Sequence, residues 1–351
     1  MQRFIPYICQ NIGMKKLLQL TFVLISIASF GTLKAQDPEL SQFYASPVYT
    51  NPAFTGSAVC ESGSTAGRAA LNYRNQWPGL PGTFRTFGAS WDQHMPSIGG
   101  GLGASVFRDV AGSGLLTTTT ISASYSYLLA LRGKRSRNPF FLRFGLQGAY
   151  SFKSIDPNKL KWGDQIVPTQ GFVNPTGENL PATNVNYPNF NAGVLGYSSK
   201  FYVGFAAHNI IQPNWSFYNN PKEVLPIRYT FHGGAVLPLT KNRFDDANIS
   251  PNFLFMRQRN FSQLNIGFYV NNGPFVSGLW YRQTFGQFAN SDAIIALVGF
   301  RYRKFKFGYS YDFTVSDGRS AIPSSHEISA TVDWCVPPGR KPFRPLKCPV
   351  F

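Results

Sequence analysis

Hydrophobic residues recur at every second position in one segment of this chain after another. Between residues 140 and 152, Leu142, Phe144, Leu146, Tyr150 and Phe152 share one parity, while Arg143, Gly145, Gln147 and Ser151 share the other. Phe305, Phe307, Tyr309, Tyr311 and Phe313 oppose Lys306, Gly308, Ser310 and Asp312 in the same way. Ile121, Ala123, Tyr125, Tyr127 and Leu129 oppose Ser122, Ser124 and Ser126. Ile328, Ala330, Val332 and Trp334 oppose Glu327, Ser329, Thr331 and Asp333. Successive strand side chains point to opposite faces, so a period of two predicts strands with one apolar and one small, polar face.

Applied along the chain, the pattern predicts fourteen strands, near residues 67–73, 83–92, 100–108, 116–129, 140–152, 190–198, 201–207, 229–236, 252–258, 261–270, 276–282, 293–302, 306–313 and 326–334. An even count suits a transmembrane antiparallel β-barrel with both ends on the periplasmic side. Connections after odd-numbered strands should then be extracellular and long, as at 154–189, 209–228 and 314–325, whereas Ser199-Lys200 and Arg303-Lys304 are short. The short Arg259-Asn260 connection and the longer ones at 133–139 and 238–251 depart from that rule. A soluble two-sheet sandwich also alternates. Its outer faces would be rich in Lys and Glu, however, and here the second face is Ser, Thr, Gly, Asn and Gln.

Composition sharpens this choice. Only 14% of residues are charged, against about 25% in ordinary soluble domains. Aromatics reach 16%, and Gly and Pro are plentiful, which favours strands and turns over a helical bundle. No apolar run matches the length of a spanning helix, so a polytopic helical membrane protein is excluded. The net charge of +17 fits an anionic membrane surface or an acidic partner. No basic helix, finger or ribonucleoprotein motif appears, so nucleic acid is not an expected partner.

The two ends read differently from the middle. Lys15 and Lys16 precede an apolar run from Leu17 to Phe30 and small Ala35, the layout of a secretory signal peptide over residues 1–35, with 1–13 as an upstream extension. Cleavage is expected between Ala35 and Gln36. Residues 36–66 carry Pro38, Pro47 and Pro52 among Phe43, Tyr44, Tyr49 and Phe54, cannot form a regular strand, and are expected to fold into the lumen as a hatch-like segment. The barrel would occupy 67–334. Residues 335–351 form a basic, Cys- and Pro-bearing tail, extended and periplasmic. Cys335 and Cys348 enclose a short loop and are the expected disulfide, with Cys60 as the rival partner.

Several stretches together resemble one family. Gln36-Asp37-Pro38, Ser41-Gln42-Phe43-Tyr44, Ser46-Pro47 and Asn51-Pro52-Ala53-Phe54-Thr55-Gly56 resemble the N-terminal signature of the PorP/SprF family of outer-membrane proteins in the Bacteroidetes type IX secretion system. Similar matches follow at Tyr73-Arg74-Asn75-Gln76-Trp77-Pro78, Lys161-Trp162-Gly163-Asp164-Gln165-Ile166, Leu225-Pro226-Ile227-Arg228-Tyr229-Thr230, Gly278-Leu279-Trp280-Tyr281-Arg282 and Ser325-His326-Glu327-Ile328-Ser329. Asn51-Pro52-Ala53 also looks like the start of the hatch in long-chain fatty-acid transporter barrels. The resemblance implies a non-enzymatic role in exporting secreted proteins or anchoring them at the cell surface, as in gliding bacteria. Implied partners are a secreted surface protein or adhesin, and periplasmic ring components of the secretion system. Outer-membrane lipid would surround the wall.

Candidate contact residues are Trp162, Asp164 and Gln165 in the longest extracellular loop, and Arg340, Lys341, Arg344 and Lys347 in the tail. No catalytic, metal or cofactor set is expected. His94, His208, His232 and His326 with Cys60 show no ligand spacing. In Ser324-Ser325-His326-Glu327 neighbours point to opposite faces and cannot assemble a nucleophile and base. Gly99-Gly100-Gly101-Leu102-Gly103 lacks the Lys-Ser/Thr of a phosphate loop and reads as a turn entering a strand. The main alternative function is a channel for uptake or diffusion of a small or hydrophobic solute, and a third is an outer-membrane hydrolase.

Overall fold

The computed structural model describes residues 38–336 apart from 61–64, 81, 114, 133–138, 168, 240–246, 286–291 and 316–323. Fourteen long strands follow one another: β1 (Ala66–Asn75), β2 (Thr83–Met95), β3 (Gly100–Gly112), β4 (Leu116–Arg132), β5 (Phe140–Ser154), β6 (Asn184–Tyr197) and β7 (Phe201–His208), then β8 (Arg228–Ala235), β9 (Asn248–Gln258), β10 (Phe261–Asn272), β11 (Phe275–Phe285), β12 (Ala293–Tyr302), β13 (Phe305–Thr314) and β14 (Ser325–Cys335). Each pairs antiparallel with its neighbours in sequence, and β1 pairs with β14 from Ala66 opposite Cys335 to Asn75 opposite His326. The sheet is therefore a closed ring with no free edge, which removes the two-sheet alternative.

The parity read from the sequence sorts inside from outside. Phe144 is 45% and Leu146 50% exposed, whereas Arg143 is 1% and Gln147 5%. The same split holds between Ile121 and Ser122 and between Ile328 and Glu327. A continuous belt of exposed Phe, Leu, Ile, Val and Tyr around a ring is far larger than the apolar patches of soluble proteins, and lipid is the medium that covers it. No helix among the described residues is long and apolar enough to cross a membrane; here strands perform the crossing.

Two strands run past prolines where the sequence predicted an end. β6 begins at Asn184 and continues through Pro188, opposite Tyr150, and β9 continues through Pro251, opposite Phe268. Each proline forfeits one ladder donor. Strong pairing on either side carries the strand across. The 154–189 connection thus narrows to 155–183, where Ile166–Val167 and Gly171–Phe172 form a small ladder of their own.

The long connections, 155–183 and 209–227, share one end of the ring. The short turns 198–200, 273–274 and 303–304 share the other, which is the periplasmic end by the rule for such barrels.

Candidate functional site in the lumen and at the loop end

Residues 38–57 run along the inner face of the wall. Prolines at 47 and 52 fix a one-turn helix α1 (Pro47–Thr50) and a 3-10 turn over Pro52–Phe54, each with proline in its first positions, where no N–H is needed. Asn51 ties this kink to three strands at once. Its Oδ1 accepts from the Ala53 amide at 2.8 Å, and its Nδ2 donates to the carbonyls of Val194 and Phe205, each at 3.2 Å, and lies 3.1 Å from His232 Nε2. Phe54 stacks on the His232 ring, with centroids 5.1 Å apart. Gly145 and Gly193 make this approach possible. A Cβ at Gly145 would lie 2.1 Å from the Ala53 nitrogen, and one at Gly193 would lie 2.0 Å from Asn51 Oδ1.

Towards the periplasmic end, the Thr55 carbonyl accepts from Ser126 Oγ and Arg143 Nη1, each at 2.6 Å. The Gly56 amide donates to Asp92, whose carboxylate Arg68 holds at 2.9 Å through both Nε and Nη2. Phe43 and Tyr44 pack into an aromatic cluster with Tyr202, Tyr269 and Trp280.

Near the loop end lies a buried charge cluster. Arg74 pairs with Asp312 at 3.0 Å and Glu327 at 3.3 Å, and Arg282 pairs with Asp312 at 3.0 Å and Glu39 at 3.3 Å. Ser41 binds the centre of it: its amide donates to Glu327 at 2.6 Å, its hydroxyl donates to Asp312 at 2.6 Å, and both arginines donate to that hydroxyl. Gln42 adds contacts from its amide to Glu327 and from its side chain to Ser310 and the Glu327 carbonyl. The cluster was missed as a site in the sequence. Its signal was available in Asp312 and Glu327, two acids on the inward parity with Ser310 and Ser329 beside them, since a carboxylate inside a wall requires a cation.

At the loop end, Trp162 is half-buried, and Gly163–Gln165 form a 3-10 turn. Gln165 accepts from the Trp162 amide at 2.9 Å. Asp164 accepts from the Gly177 amide at 2.7 Å and from the Thr176 hydroxyl at 3.0 Å. The Gly177 amide first, and the Thr176 hydroxyl with it, hold the Asp164 carboxyl below its ordinary value. Lys153 reaches from β5 to the Trp215 carbonyl at 3.0 Å and over the Trp215 ring at 3.8 Å, tying the 209–227 connection to the end of β5. Because the folded pKa of Asp164 is depressed, its bonds support the loop above the unfolded-state pKa and are lost as pH falls through the lower folded value. The Gly177 amide resonance is therefore expected to stay constant from neutral pH until below the ordinary aspartate range. A titration at or above that range would contradict the arrangement.

Cys335 is bonded to Cys60, with Cα atoms 5.6 Å apart, and this corrects the expected Cys335–Cys348 bridge. β1 opposes Ala66 to Cys335, and an antiparallel bridge between Val59 and Thr65 folds the preceding chain back alongside. Pairing across the ring closure, which short-loop reasoning along the sequence does not register, brings Cys60 to Cys335. Non-reducing peptide mapping should recover Cys60 and Cys335 in one species. Cys60→Ser should lower stability by up to about 5 kcal/mol, the chain-entropy value for so long a loop. Ala35, Gln36, Cys348, Arg340, Lys341, Arg344 and Lys347 lie outside the described residues.

The four histidines form no metal-holding group among the described residues, although His208 and His232 stand on neighbouring strands. His94 is buried on β2, His208 contacts the Thr50 carbonyl at 3.2 Å, His232 holds Asn51, and His326 meets the Tyr309 hydroxyl at 2.9 Å on the outer face. His326 faces outward and Glu327 inward, so they share no site. Gly99 has φ 64° at the turn into β3, and Gly101 lets the Thr55 carbonyl close against the wall.

A closed ring, an apolar outer belt and a polar interior define a β-barrel of the bacterial outer membrane. A match to the family described as type IX secretion system membrane protein PorP/SprF spans residues 32–332. The chain belongs to this family and is an outer-membrane component of that secretion system. No curated protein matches it individually. Among solved structures it is similar to a deltaS2S3 mutant of the TodX monoaromatic hydrocarbon channel, with 8% identity, 82% of this chain and 92% of that chain covered, and a TM-score of 0.44. It is also similar to a Pseudomonas aeruginosa FadL homologue, with 12% identity, 83% and 94% coverage, and a TM-score of 0.43. A mutant of Rh. blastica porin follows at 7% identity, 77% and 99% coverage, and a TM-score of 0.34. No function passes from these barrels to this one.

Proposed function

We propose that this barrel is non-enzymatic and works through its two rims, helping to export secreted proteins or to hold them at the cell surface, with residues 38–57 closing the lumen. The observation behind this reading is the interior itself. A solute channel needs free lumen, and here one segment hydrogen-bonds to the wall from Asp92 near the periplasmic end to Asp312 and Glu327 near the loop end. The outward partner would meet the loop end, where Trp162 stands beside a turn that Asp164 and Gln165 brace from within. The periplasmic partner would meet the end that carries the Cys60–Cys335 bridge.

Affinity purification of the tagged chain from native membranes tests this. Recovery of a secreted surface protein or of periplasmic ring components is expected, and Trp162→Ala should reduce recovery of the former while leaving the latter. Recovery of neither, from barrels that remain folded, would overturn the reading.

A further inference from the structure

The outer wall has a notch at its periplasmic rim. A cavity of about 600 Å³ opens there, with Leu131, Phe140 and Phe201 as apolar walls and Ser198, Ser199 and Lys200 at its polar end. Its volume lies in the range of sites that take small organic molecules. The sequence creates it at Gly196, two residues before the turn: with no side chain there, Phe140 leans over the strand, its Cζ 3.1 Å from where a Cβ would be. Phe140 and Phe201 then stand with ring centroids 6.4 Å apart.

The polar end is fixed in place. Ser198 Oγ accepts from the amides of Lys200 and Phe201, and the Lys200 carbonyl accepts from the Val236 amide at 2.7 Å. Ser199 and Lys200 are exposed at the tip. Among the described residues no carboxylate forms an ion pair with Lys200, and none lines the cavity. Among the described lining residues Lys200 alone is charged, and its charge is positive.

We propose that the notch binds one anionic phospholipid of the periplasmic leaflet, its acyl chain along Leu131, Phe140 and Phe201 and its phosphodiester at the Lys200 ammonium and the Ser199 hydroxyl. The charge decides between lipids: a cation with no acid among the described residues that line the cavity favours a headgroup of net negative charge over a zwitterionic one. Position decides between a lipid and a protein segment, because the apolar walls continue the lipid-facing belt and an acyl chain reaches them without leaving the bilayer. The inference rests on the assignment of the short-turn end to the periplasm and is independent of which secreted protein the barrel serves.

The test is native mass spectrometry of the full chain released from nanodiscs of phosphatidylcholine containing about 10 mol % phosphatidylglycerol, an anionic fraction that keeps the surface negative. One phosphatidylglycerol per barrel is expected to be retained in preference to phosphatidylcholine. Lys200→Gln should lower that occupancy about fivefold, the effect of one surface cation. Ser199→Trp, which fills the notch and leaves the charge unchanged, should abolish it. Heat-modifiable gel mobility monitors the folded barrel separately in each variant. Equal retention of the two lipids, unchanged occupancy in Lys200→Gln, or a second copy of the chain in place of lipid would overturn the proposal.

Discussion

Replacing Arg74 with methionine is expected to destabilise the folded barrel by about 3–5 kcal/mol, the usual cost of removing one partner from a buried ion pair. Asp312 and Glu327 are 2% and 0% exposed. In the variant Arg282 still faces Asp312, but Glu327 retains only the amides of Ser41 and Gln42 and the distant field of Arg282. A carboxylate buried in that state is costly, and the nearest relief is outward movement of residues 39–42. Adding Glu327→Gln should recover part of the loss by removing the orphaned charge. The urea midpoint of the refolded barrel in lipid vesicles measures both effects. A midpoint unchanged in Arg74→Met would mean that water already reaches the cluster and the pairs contribute little.

The second large effect is expected from Gly145→Leu. At that position a Cβ would meet the Ala53 nitrogen at 2.1 Å and the Pro52 carbonyl carbon at 2.2 Å. Both are backbone atoms, so no rotamer change relieves the clash. The Asn51–Phe54 kink must leave the wall, giving up the Asn51 contacts to β6, β7 and β8 and the burial of Phe54, worth about 2–3 kcal/mol for the ring alone. β5 itself accepts leucine, since its own pairing with β4 and β6 is undisturbed. The expected result is a barrel with normal heat-modifiable mobility whose residues 38–57 have become sensitive to protease. Protection equal to that of the unaltered chain would contradict the contact.

Much of this architecture was legible because lipid and a polar interior impose opposite demands on neighbouring residues, and the alternation of Phe144 with Arg143 or Ile328 with Glu327 records that demand directly. Strand ends were harder to place. Pro188 and Pro251 are breakers on local grounds, yet pairing on both sides carries β6 and β9 through them. The disulfide was misjudged for a related reason: ring closure joins residues 275 positions apart, and nothing local to Cys335 records the approach of Cys60. The contacts of Asn51 with His232 and of Ser41 with Asp312 were equally hidden, because they depend on how the N-terminal segment threads the wall. The glycines at 101, 145 and 193 were a local trace of the approach of residues 51–56, small residues on the inner face where a backbone comes close, as Asp312 and Glu327 were of the Ser41 cluster.

Single-molecule conductance in planar bilayers tests most directly whether the interior is filled by the chain's own N-terminal segment. The unaltered protein should show no steady open-pore current, while Gly145→Leu should show one. A steady current through the unaltered barrel, equal to that of the variant, would contradict the account.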